Sequence, residues 1–409
     1  MHFKLNSSVM LILCLLSYLT ECFLVEKNLS PVIFIPGDGG SQVEAKLNKP
    51  SVVHYICEKT SSDFFNIWLN LELLVPVVID CWIDNMKLNY DNITRTTKNQ
   101  EGVEIRIPGW GDPFSVEYLD PSKAFPGSYF KDIGNMLVNE LGYVRNLSLR
   151  GAPYDFRKGP NESEEFFVKL KSLIEETYTI NNNAPVTLIA HSMGAPMTLI
   201  FLQRQTQKWK DKYLSSLITL AGVWAGSVKA LKVFAIGDNL GAYVLRESVM
   251  RNEQITSPSL GWLIPSKLFW KNSEVLVQTD EKNYTLLNLK EFFIDINVPN
   301  GWEYRLDNEK YQAYFEAPGV TLHCLHGVKV DTVERLYYKP GTSIDGYPEL
   351  INGDGDGTVN LRSLKACLNW QEKQIQKIYH TEFDGVNHMD ILKHIDVLNY
   401  IKSALQMKT

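Results

Sequence analysis

This chain has little that is apolar and long enough to cross a bilayer. The apolar run at 9–19 covers eleven residues, where a helical span needs about 20. The one at 63–80 is too short and is interrupted by Asn66, Asn70 and Glu72. No basic run stands out. Lys and Arg total 41 against 47 Asp and Glu, a net charge of −6, so nothing argues for nucleic-acid binding. No internal repeat or low-complexity segment occurs, which excludes repeat architectures. Cysteine is sparse, six in 409 residues. What remains is an ordinary globular balance, 44% apolar and 22% charged, with length for one large domain plus insertions.

The 9–19 run follows His2 and Lys4 and reads as the core of a secretory signal peptide over 1–22, cleaved near Cys22. An uncleaved anchor is the alternative. Secretory entry suits the rest of the chain. Cys57, Cys81, Cys324 and Cys367 then remain and allow three connectivities. Pairing within local blocks favours Cys57–Cys81 and Cys324–Cys367. Acceptor sequons at Asn28, Asn92, Asn146, Asn161 and Asn283 suggest glycosylated surface loops.

Strand and helix signals alternate as in a parallel sheet, with strands expected at 32–35, 147–149, 186–190, 217–220, 322–325 and 377–383. Phe166, Phe167, Leu170, Leu173, Ile174 and Tyr178 form a helical stripe that Asn161 with Glu164 is placed to cap. The strand at 186–190 runs into Ala190-His-Ser-Met-Gly194 and then an apolar helix. A serine among small residues on a strand-to-helix turn is the nucleophile-elbow pattern, with Ala190 in place of the usual first Gly. Such a turn sets Ser192 Oγ at a helix N-terminus, where negative charge is favoured.

A serine needs a base, and the base needs an orienting acid. In α/β-hydrolases these follow the serine in the order acid, then His. Asp354 and Asp356 both lie in the Gly-rich loop after Asn352, and His388 lies on a loop between the last strand and the last helix. His323, His326 and His380 fall within strands and His394 within a helix. His191 reads as packed beside the elbow. The Asp354 loop fails as a calcium loop, since its sixth position is Val359 and its twelfth Lys365. The backbone N–H of Met193, just after the nucleophile, is the expected oxyanion donor, and Gly37-Asp-Gly-Gly40 after the 31–36 strand is the expected source of a second. Such chemistry needs no metal and no cofactor.

Two stretches exceed a minimal hydrolase. The first spans 57–95. Phe64, Phe65, Ile67, Trp68, Leu69, Leu71, Leu73 and Leu74 cover most of a helical circumference. Read as a helix, the segment has more apolar surface than one core face accommodates, so lipid docking is preferred over a core helix. The second, about 222–320, carries Trp224, Phe234, Trp262, Phe269, Trp270 and Trp302 and reads as a cap or lid.

Six runs, in order through nearly all of the chain, resemble the lecithin:cholesterol acyltransferase family: Pro36-Gly-Asp-Gly-Gly, Ile67-Trp-Leu-Asn-Leu-Glu-Leu-Leu-Val-Pro, Asp80-Cys-Trp-Ile-Asp-Asn, Ala152-Pro-Tyr-Asp-Phe-Arg, Ala190-His-Ser-Met-Gly and Gly353-Asp-Gly-Asp-Gly-Thr-Val-Asn. Gly237-Asp-Asn is a seventh. The resemblance implies an α/β-hydrolase core with a membrane-binding subdomain and a cap, whose mobile lid corresponds to 223–241. It implies a Ser192–Asp356–His388 triad, choosing Asp356 over Asp354, and an oxyanion hole at Asp38 and Met193. The implied reaction is cleavage of a glycerophospholipid acyl ester at a bilayer surface through an acyl-serine. The acyl group then passes to water or to a lipid alcohol such as ceramide. The implied setting is the lysosome or the secreted space. A sterol acyltransferase, a neutral-lipid lipase and an inactive lipid-binding protein are the alternatives.

Overall fold

The computed structural model describes residues 29–123, 127–240, 245–313 and 315–407. The 1–22 leader and Asn28 lie outside these residues. Among the described residues, no helix is long and apolar enough to cross a membrane.

Among the described residues, six parallel strands build the central sheet: β1 (Val32–Ile35), β2 (Leu149–Gly151), β3 (Val186–His191), β4 (Leu214–Leu220), β5 (Thr321–Val328) and β6 (Ile378–Asp384). Their order is β2-β1-β3-β4-β5-β6. Each matches an expected strand, with β2 displaced toward 151. β1, β3 and most of β4 and β5 are fully buried, which is why they read as continuous apolar runs rather than alternating ones. Helices Glu164–Ile180 and Gly194–Gln203 cover the strands around the elbow. Ser163 takes the N-cap position of the first, without a side-chain cap bond, so Asn161 does not cap it. The fold is an α/β-hydrolase core.

The first insertion is not one helix. Phe65–Trp68 is a strand in a three-stranded sheet with Val43–Leu47 and Val103–Arg106. A 3-10 turn, Leu71–Leu74, follows, and then helix Val78–Met86. This divides the apolar residues. Ile67, Trp68 and Leu74 are buried in the main core, so they are not a lipid face. Phe64, Phe65, Leu69 and Leu73 are half-buried. Leu71, Val75 and Val77 are exposed, at 39%, 46% and 52%. The segment's alternation changes at Leu69, which is why a single helical period describes it poorly.

Buried Arg157 fastens this subdomain to the core. Its guanidinium donates to Asp155, to the Met86 carbonyl and to Asn99. Two disulfides, Cys57–Cys81 and Cys324–Cys367, close as expected. Asn92, Asn146 and Asn283 are exposed. Asn161 is half-buried and the hydroxyl of its sequon's Ser163 donates to the Gly159 carbonyl, so this sequon is not an open loop.

The cap holds helices Val228–Ile236, Glu247–Gln254, Leu289–Asp295 and Asn300–Ala313. It also extends beyond 320. Thr332–Tyr337 and Glu349–Gly353 join Val277–Gln278 and Asn283–Tyr284 in one sheet, so the cap is built from both sides of β5.

The split within the first insertion is measurable by denaturant unfolding. Ile67→Ala is expected to cost about 2–5 kcal/mol, as a buried large-to-small change does. Leu71→Ala is expected to stay within about 0.5 kcal/mol of the parent. Similar losses for both would mean that the exposed turn belongs to the core.

Candidate active site

The sheet order reverses between β1 and β3, and the crevice at the C-terminal ends of such strands is where ligands bind in this class of sheet. The loops after these two strands carry Gly37–Gly40 and Ser192. Ser192 has φ 53°, in the left-handed region, a strained conformation that surrounding contacts must hold. Its N–H donates to the Leu220 carbonyl at 3.0 Å. A Cβ at Gly194 would stand 2.4 Å from the Pro36 carbonyl oxygen, and one at Gly37 would stand 2.6 Å from Ser192 Cβ. The two loops therefore touch only because both positions lack a side chain.

His388 lies between the other two members. Its Nδ1–H donates to Asp356 Oδ2 at 2.8 Å, and Nε2 accepts from Ser192 Oγ at 2.8 Å. Asp356 is fully buried. Burial pushes its carboxyl up, but His388 and the N–H groups of Val359 and Thr358 outweigh this and hold it below the ordinary value. Asp354 is exposed and accepts from the Lys329 N–H, away from His388. The structure brings Ser192, Asp356 and His388 together and leaves Asp354 out.

Two further residues, not singled out for this role in the sequence, tie the loops to one another. Tyr129 Oη accepts the Gly37 N–H at 3.0 Å and donates to His191 Nδ1 at 2.5 Å. His191 Nε2–H donates to the His388 carbonyl at 2.9 Å. A carbonyl only accepts, so the proton is on Nε2 and Nδ1 is free to accept. Burial first, then the neighbouring His388, lowers the His191 pKa to about 3, so it stays neutral. His191 is thus packed beside the elbow, as expected.

Tyr154 Oη donates to the Pro36 carbonyl at 2.9 Å, and Trp68 Nε1–H donates to the Gly39 carbonyl at 2.8 Å. The indole of Trp68 therefore supports the glycine loop. Among the described residues, the N–H groups of Asp38 and Met193 have no protein acceptor. Asp38 reaches solvent, yet the protein around it raises its carboxyl to about 6 by desolvation, against a bond from the Gly39 N–H.

Residues 64–395 match the family described as Lecithin:cholesterol acyltransferase. The chain belongs to the lecithin:cholesterol acyltransferase family. It is 44% identical to the human "Lysosomal phospholipase A and acyltransferase" over 401 residues, 98% of this chain and 96% of that protein. The mouse protein of the same name is also 44% identical, over 98% of this chain and 97% of its own length. Chicken "Phosphatidylcholine-sterol acyltransferase" is 41% identical, over 88% and 87%. A family enzyme acting on lipid esters needs an orienting carboxylate beside its base. Asp356 has the geometry for that role and Asp354 does not.

Asp356→Asn is expected to lower turnover about ten-thousandfold, as loss of a triad aspartate does. Asp354→Asn is expected to lower it far less. Parallel rate measurements on the two variants check the assignment, and a reversed ranking would sink it.

Glu253 gives a second measurable property. It is buried, and desolvation, only partly offset by Arg157, raises its pKa from 4.5 to about 7. The folded state therefore binds this proton more tightly than the unfolded chain. Stability falls as pH rises through the window from about 4.5 to 7. Thermal melting followed across that window should show the decline, and Glu253→Gln should flatten it. An unchanged slope in the variant would assign the decline to other groups.

Proposed function

We propose that this protein is a phospholipase A and acyltransferase. Its substrates are glycerophospholipids presented at a bilayer surface. The single observation that carries this reading is the uninterrupted Ser192–His388–Asp356 hydrogen-bond chain at the sheet's switch point in a member of this family. As Ser192 Oγ attacks the ester carbonyl, His388 Nε2 takes its proton. Asp356 holds the tautomer and stabilises the imidazolium. The N–H groups of Asp38 and Met193 receive the oxyanion. His388 returns the proton to the departing lysolipid, which leaves Ser192 acylated. It then activates water or a lipid alcohol such as ceramide, and the second attack frees the serine.

The lipid-facing surface in this reading is smaller than the sequence suggests. It comprises exposed Leu71, Val75 and Val77, with half-buried Phe64, Phe65, Leu69 and Leu73 beside them. The Cys57–Cys81 bond tethers the segment to an exposed loop that carries Tyr55. Apolar area of this kind inserts into the headgroup boundary, and binding scales with the area inserted. The setting we propose is the lysosome or the secreted space, entered through the 1–22 leader.

The test is to incubate pure protein with phosphatidylcholine vesicles containing ceramide and identify the acyl products. Released fatty acid and acylated ceramide are expected. Ser192→Ala should lose roughly a millionfold of both, and more than a few per cent of residual hydrolysis would rule out Ser192. The triple variant Leu71→Ser, Val75→Ser and Val77→Ser should weaken vesicle binding and vesicle hydrolysis while sparing a soluble short-chain ester. Equal loss on both substrates would count against the lipid-docking surface.

A further inference from the structure

The edge of the central sheet carries a second cluster of chemically capable side chains. On neighbouring β5 and β6, Cys324 is in register with His380 and His326 with Glu382. Positions 324 and 326, and 380 and 382, are two apart, so each pair shares a face. His326, His380 and Glu382 therefore project together from one side of the sheet, and their ligating atoms all lie within 4.8 Å of one another.

The protonation pattern is informative. His326 Nδ1–H donates to the Gly327 carbonyl at 2.9 Å. This leaves a lone pair on His326 Nε2, which faces His380 Nε2 at 2.8 Å. Only one proton fits between the two nitrogens. Glu382 Oε1 stands 3.8 Å from His380 Nε2. Two imidazole nitrogens and a carboxylate thus converge where one proton now sits. A backbone carbonyl on the far nitrogen of a ligating histidine is the usual device that fixes its tautomer.

We propose that His326, His380 and Glu382 bind a borderline divalent transition-metal ion of the Zn2+ type, separately from the Ser192 site. Two imidazoles, one carboxylate and a water make a tetrahedral set suited to that ion. With metal–nitrogen bonds of about 2.0–2.1 Å, the two Nε2 atoms need to part by roughly half an ångström. The ion takes the place of the shared proton, which moves to His380 Nδ1 as that ring changes tautomer, so both histidines ligate as neutral imidazoles. Lys365 competes, because its Nζ pairs with Glu382 at 2.7 Å. Its side chain is 39% exposed and has room to withdraw. β5 continues through Gly327, where a Cβ would stand 3.4 Å from Asp356 Cβ. The ion thereby braces the strand against which the Asp356 loop packs.

The experiment is to titrate metal-free protein with Co2+ and with Zn2+, following the visible absorption of tetrahedral Co2+ and the melting temperature. We expect one ion per chain at this site and a melting temperature a few degrees higher when it is filled. His380→Asn and Glu382→Gln should each weaken the ion by about tenfold or more. Lys365→Gln should tighten it. His388→Ala, which removes the imidazole beside Ser192, should keep it. Absence of stoichiometric binding would overturn the proposal. So would wild-type affinity in a folded His380→Asn protein, or loss of the ion in His388→Ala.

Discussion

A chain of hydrogen bonds through Tyr129 and His191 sets the spacing on which the rest of this site depends. One end holds the Gly37 N–H, in the loop after β1, and the other holds the carbonyl of His388, in the loop after β6. Ser192 lies between these loops, on the turn after β3. The chain joins these two loops through the last residue of β3, His191, and uses buried neutral groups. It is therefore insensitive to salt and to pH over the range in which ordinary imidazoles titrate. Each member has one donor and one acceptor to give, and each is used. Removing one would leave a buried polar group unpaired, a loss that exceeds the net worth of the bond.

Around this centre the chain spends its apolar residues in two ways. The strands and their covering helices bury theirs completely, which makes the scaffold stiff enough to hold a left-handed serine. The first insertion divides its apolar residues between core and solvent. The cap is assembled from segments before and after β5, so its sheet is closed by pairing between stretches distant in sequence. That arrangement fixes the cap to the strand that leads to Asp356.

The strands at 32–35, 186–190 and 217–220 were legible because buried parallel strands are short continuous apolar runs. Ser192 and His388 were legible from context and chain order. Asp356 against Asp354 was legible only through the family resemblance, because both lie in the same glycine-rich loop and their local chemistry is alike; the fold shows Asp356 turned inward to His388. Tyr129 carried no local signal, since its role is defined by partners 62 and 92 residues away. The cap strands at 332–337 and 349–353 are partly exposed and weakly patterned. The first insertion misled for a different reason. Its apolar residues are dense enough to satisfy several periods, and a change from strand to 3-10 turn at Leu69 leaves no mark in composition.

Trp68 stands at the junction of these parts. Its ring packs on Gly39 and its indole N–H holds the Gly39 carbonyl, while three residues further along the chain Leu71 faces solvent. Only Leu69 and Asn70 join the two, and Ile67 and Trp68 at the end of the strand are locked in the core. In the function proposed above, a contact that a lipid surface makes at Leu71 bears, through this short link, on the loop after β1. On that reading, an assay in detergent solution and one on a membrane load this link differently, even when sequence, pH and substrate are the same.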